Sequence, residues 1–97
     1  MRASIALFVF TTMTPIQRYG LKRLMLRLPS WRAAFEQNSD DPVFVDICEA
    51  YELVWSVLDF LITSGRPEAT DRIEEYRELA ASLESDALMI AKDCGWS

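Results

Sequence analysis

The sequence predicts an all-α protein: an antiparallel two-helix hairpin over about 42–64 and 67–93, preceded by a shorter basic helix over about 15–28. Three observations predict this. The chain has 97 residues, enough for one small domain, and 51% of them are apolar, which favours a packed fold over disorder. Apolar residues recur at spacings of three and four over two long stretches. An acceptor side chain precedes proline twice, at Thr14-Pro15 and Asp41-Pro42, and both are helix entries.

Residues 1–13 form an apolar extension ahead of a single helical domain over 14–97. Arg2 and the run Ala3 to Phe10 have the order of a secretory signal, but Thr11, Thr12, Met13, Thr14 and Pro15 supply no small-x-small cleavage site. The run is far shorter than the ~20 residues that span a bilayer. A second reading makes Met13 the true start, because regular patterning begins at Thr14, and a third packs the run on the domain as a short strand or helix turn.

Ile16, Tyr19, Leu21, Leu24, Met25 and Leu28 lie near helical spacing, with Arg18, Lys22, Arg23 and Arg27 between them. Gly20 weakens this helix by about 1 kcal/mol relative to alanine, and Pro29 stops or kinks it. Ser30 is placed to cap a short continuation through Phe35, and Asn38, Ser39, Asp40 and Asp41 then break the chain.

After Pro42, the positions Phe44, Ile47, Tyr51, Val54, Leu58 and Leu61 form a wide seam, with Cys48, Trp55 and Ile62 beside it. Val43, Ala50, Leu53, Val57 and Phe60 form a second apolar stripe, and a helix apolar on two sides needs cover on two sides. Gly65 suits the position just past the helix end, and Pro67 the start of the next. There, Ile73, Tyr76, Ala80, Leu83, Ala87, Ile90 and Cys94 make a heptad seam. Acids in its first turns and Lys92 in its last suit the helix dipole, and Gly95 ends it.

The stretch Asp41-Pro42-Val43-Phe44 through Ile47-Cys48-Glu49-Ala50-Tyr51-Glu52, followed by Glu74-Glu75-Tyr76-Arg77-Glu78-Leu79, resembles small uncharacterised proteobacterial helical-hairpin proteins over about residues 40–90. The resemblance implies a hairpin and a bacterial, cytoplasmic setting, and it implies no activity. Two unpaired thiols suit a reducing compartment. Cys48 and Cys94 lie about 16 Å apart along a hairpin, too far for a disulfide.

The net charge of −5 hides a split. Residues 1–35 carry six cations and no acid, whereas residues 36–97 hold all 15 acids against Arg66, Arg72, Arg77 and Lys92. The candidate basic interaction surface is Arg18, Lys22, Arg23, Arg27 and Arg32. Its readings are nucleic acid, an anionic membrane surface together with the apolar N-terminus, or the acidic part of the same or another chain. The last is preferred, with Arg18, Lys22 and Arg27 facing acids of the hairpin, because a body carrying −11 repels phosphate.

The chain contains no histidine, which excludes Ser-His-Asp and Cys-His catalysis, Cys₂His₂ zinc, His-ligated haem and a phosphohistidine relay. Helical glutamates therefore lack their usual Glu-x-x-His partner for a di-metal site, and there is no Gly-rich phosphate loop. The expectation is a non-enzymatic interaction or regulatory module with no catalytic residue, metal or cofactor. A homodimer completes the bundle through a packing surface of Leu53, Trp55, Val57, Phe60 and Trp31, and an unidentified protein is a further partner.

Overall fold

The computed structural model describes residues 13–93, of which 89% are helical and none is in a strand. Four α-helices follow in order: α1 (Pro15–Arg27), α2 (Arg32–Gln37), α3 (Pro42–Ser64) and α4 (Thr70–Asp93). Single 3₁₀ turns at Pro29–Trp31 and Pro67–Ala69 precede α2 and α4. The readings for residues 1–12, and for Cys94 and Gly95, lie outside the described residues. Met13 lies within them and is buried in the core.

Local chemistry sets the helix starts. Thr14 caps α1 through a reciprocal pair: the Gln17 N–H donates to Thr14 Oγ1 at 3.2 Å, and the Thr14 N–H donates to Gln17 Oε1 at 3.0 Å. Asp41 Oδ1 accepts from the N–H groups of Val43 at 2.8 Å and Phe44 at 3.1 Å. Gly65 closes α3 at φ 64°, a left-handed conformation that glycine adopts without a Cβ clash. Pro29 ends α1 as expected. Ser30, however, makes no capping bond, because the chain enters α2 through a tight turn in which the Trp31 N–H donates to the Leu28 carbonyl.

Between α2 and α3 the polar break is folded inward. Asn38 and Ser39 are buried, and each side chain donates to a carbonyl of the preceding turn, Asn38 to Ala34 at 2.8 Å and Ser39 to Glu36 at 2.7 Å. Satisfying these groups internally lets the chain reverse next to the core without an orphaned donor.

α3 is the central element, with α1 and α4 packed against it on neighbouring sides. One apolar cluster holds Leu21 and Leu24 of α1, Phe35 of α2, Phe44, Cys48, Tyr51 and Leu58 of α3, and Ala80, Ala87 and Ala91 of α4. The rings of Phe35 and Phe44 stack with centroids 5.6 Å apart, which ties α2 to the start of α3. On α4 the most buried line is Ala80, Ala87 and Ala91, while Ile73, Tyr76, Leu83 and Ile90 of the expected seam are half-buried at its sides. Small residues on the contact line allow close approach of the helices, and the larger ones wrap around it.

Gly20 has a role that helix propensity did not indicate. It is buried, and a Cβ built on it would collide with the backbone carbonyl of Cys48, whose carbonyl carbon lies 2.6 Å from that position. α1 and α3 therefore cross backbone to backbone, which only glycine permits. The main chain of Cys48 meets α1 at this crossing.

Candidate functional site

Two surfaces draw on the residues singled out in the sequence. The first is the charged seam between α1 and the acidic helices. Arg23 Nε donates to Glu52 Oε1 at 2.6 Å, and its Nη2 donates to Asp59 Oδ2 at 3.4 Å. Gln17 Nε2 donates to Glu49 Oε1 at 3.2 Å on the same side of α3. Arg27 Nε lies 3.5 Å from Glu84 Oε2, which also accepts the Tyr51 hydroxyl at 2.6 Å. One carboxylate of α4 thus joins α1 and α3.

This seam corrects the expected pairing. Arg27 faces an acid as proposed, but Arg18 and Lys22 form no ion pair among the described residues, and Arg23 is the best-paired cation of the helix. The crossing at Gly20 decides which cations reach across: Arg23 and Arg27 follow it one and two turns later, on the covered side. Lys22 instead lies 6.0 Å from the centroid of the Tyr19 ring, and Arg32 pairs within α2, 4.0 Å from Glu36.

Trp55 lies within the seam. Its ring meets Tyr51 edge-on at 6.3 Å, the Arg23 guanidinium lies 5.8 Å from its centroid, and its buried Nε1–H has no partner among the described residues. A shallow groove of about 260 Å³ runs between Arg23, Leu26, Arg27, Tyr51 and Trp55. Burial pushes the Tyr51 hydroxyl up to about 12, aided by its bond to the Glu84 carboxylate, and burial likewise pushes the Cys48 thiol up to about 12. Both groups are neutral at physiological pH, which suits packing. No cluster of three metal-ligating side chains occurs among the described residues.

The second surface is the outer stripe of α3. Phe60 is 72% exposed, Val43 61%, Leu53 51% and Val57 36%. At 100° per residue these positions share the side of α3 turned away from Cys48 and Trp55. Leu79 of α4 is also exposed. At the turn end, Phe60, Leu61, Ser64, Arg66, Glu68, Ala69 and Arg72 line an open groove of about 500 Å³.

Of the expected packing surface, Leu53, Val57 and Phe60 belong to this stripe, but Trp31 and Trp55 do not. Trp55 is half-buried because α1 lays Arg23 across it, and Trp31 is half-buried with Lys92 5.8 Å from its ring centroid. Both indoles are partly covered within the protomer. Glu84 and Gly20 carried no sequence signal for their roles, since one depends on a neighbour 33 residues away and the other on backbone approach.

No protein-family model, curated protein or solved structure matches the chain.

Proposed function

We propose that this chain is a non-enzymatic helical interaction module, built on an α3–α4 hairpin, whose contact face is the outer stripe of α3 and whose partner is a second copy of itself. The observation that carries this reading is the alignment of Val43, Leu53, Val57 and Phe60, four large side chains exposed along one face of α3. Scattered exposed apolar residues are ordinary, but an aligned row is a contact face. The hairpin is supported by Tyr51 and Glu84, which bond across the two helices at nearly equal chain distances from the facing helix ends at Ser64 and Thr70.

The seam weighs against the other uses of the basic helix. Arg23 and Arg27 already face carboxylates, which leaves few cations for phosphate, and Leu21 and Leu24 are spent on the core and not on a lipid surface. No helix among the described residues is long and apolar enough to cross a membrane. The bacterial cytoplasmic setting implied by the resemblance belongs to this proposal, and a buried, protonated Cys48 suits it.

Sedimentation velocity across a micromolar concentration series tests the reading. The wild-type chain sediments as a dimer, and Phe60→Asp, at an exposed position, sediments as a helical monomer. A wild-type monomer throughout, or a dimer indifferent to Phe60→Asp, overturns it.

A further inference from the structure

The stripe is polar in an ordered way, and that order specifies how a second copy would lie on it. Asp46 falls within its angular range near the start of α3, whereas Arg66 and Arg72 flank Phe60 in the groove at the other end. Glu68 lines that groove too, so the turn end presents two guanidiniums against one carboxylate. Asp46, Arg66 and Arg72 form no ion pair among the described residues. The face therefore carries an acid at one end, cations at the other and an apolar strip between.

Such a face is complementary to itself only when reversed. A parallel arrangement would set Asp46 against Asp46 and arginine against arginine, a like-charge pairing that selects against it. It would also oppose Phe60 to Phe60 and Ala50 to Ala50, a bulge at one end and a gap at the other. In an antiparallel pair, a twofold axis passing midway between Leu53 and Val57 sets Leu53 against Val57 and Ala50 against Phe60, large against small. The same axis places Asp46 opposite Ser64, within one turn of Arg66 and beside the groove that holds Arg72.

We infer that the α3 stripe is an isologous dimer interface in which α3 packs antiparallel on α3 of a second copy about an axis between Leu53 and Val57, with Asp46 of each copy meeting Arg66 and Arg72 of the other. This rests on the dimer proposed above and adds its direction and register. At each end of the interface an acid meets a pair of arginines, and the central strip is closed by apolar side chains.

Nitroxide labels distinguish the arrangements in a Cys48→Ala/Cys94→Ala background. With Ser64→Cys, the two labels lie 18 positions apart along the antiparallel pair, an axial separation of about 27 Å at about 1.5 Å per residue. With Ser56→Cys, close to the axis, they lie within about 15 Å, the spacing of adjacent packed helices with their labels. Short distances at both sites mean a parallel dimer and overturn the register while leaving the stripe as the interface. Absence of dipolar coupling together with a monomeric sedimentation profile overturns the register and the dimer alike.

Charge exchange in the wild-type background supplies a second measurement that does not depend on the cysteine-free chain folding. Asp46→Arg weakens dimerisation about tenfold, since two symmetric contacts turn repulsive, and adding Arg66→Asp and Arg72→Asp restores it to within about threefold. A dimer indifferent to Asp46→Arg, or one that the reciprocal exchange fails to restore, overturns the register.

Discussion

Gly20 of α1 lies against the main chain of Cys48 in α3, so closely that the carbonyl of Cys48 occupies the space a Cβ on residue 20 would need. The contact sets the distance between the two helices and, through it, the reach of Arg23 to Glu52 and Asp59.

Gly20→Ala separates the two roles of this residue. Helix propensity alone predicts a gain of about 1 kcal/mol, but the collision is with backbone, which cannot rotate aside. Overpacking of this kind costs about 1–3 kcal/mol, so the variant is less stable in urea unfolding than the wild type. A stabilised variant would show that the helices do not cross here.

Gly65→Ala behaves differently, although both are glycines next to α3. Nothing lies within 4 Å of a Cβ on Gly65, so the cost comes from φ 64° alone and is about 1–2 kcal/mol. Gly65→Asn recovers part of it, because asparagine tolerates the left-handed region. Thermal unfolding of the pair checks the ranking.

Tyr51→Phe removes the hydroxyl bonded to Glu84 without changing the ring that meets Trp55. A bond to a charged acceptor contributes about 1.5–3 kcal/mol, and Arg27 still partners Glu84 in the variant. A loss of about 1–2 kcal/mol in equilibrium unfolding is expected, with helix content unchanged by circular dichroism.

The raised values of Cys48 and Tyr51 make a pH prediction. Both folded-state values stand at about 12, above their ordinary 9.0 and 10.0, so between these limits the folded chain holds protons that the unfolded chain releases. Their contribution to stability is fully present below about pH 9 and is lost as pH rises from there toward 12. Urea midpoints from pH 7 to 11 should hold steady and then fall. A rise above pH 9 would contradict the burial of these groups.

A thiol reagent reports on the same burial at neutral pH. Cys48 reacts only as fast as the chain opens, so in a Cys94→Ala background modification in native buffer is slow and becomes rapid in denaturant. Rapid modification of the folded chain would place Cys48 outside the core.

How much was legible in the sequence differs between elements and surfaces. The starts of α1 and α3 and the end of α3 followed from Thr14, Asp41 and Gly65, because a cap bonds to backbone two or three residues away. The second stripe of α3 was legible too, since periodicity on one helix is a local property. Trp31 and Trp55 were grouped with the candidate packing surface, and in the fold they are half-buried beside Lys92 and Arg23. Composition records that a large aromatic residue needs cover, not which element supplies it.

The charge split was visible in the same way, and its pairing was not. A basic first third and an acidic remainder are properties of the sequence, and they pointed to contact between the two. That Arg23 and Arg27 take the carboxylates while Arg18 and Lys22 do not was settled by the crossing at Gly20, because an ion pair needs atoms within about 4 Å and that distance is a property of the packed helices. The sequence by itself determined three helices and a short continuation, the starts of α1 and α3, and a second apolar stripe on α3. The tertiary structure alone decided which face of α1 meets α3, for the contact is made by backbone where glycine leaves no side chain to signal it.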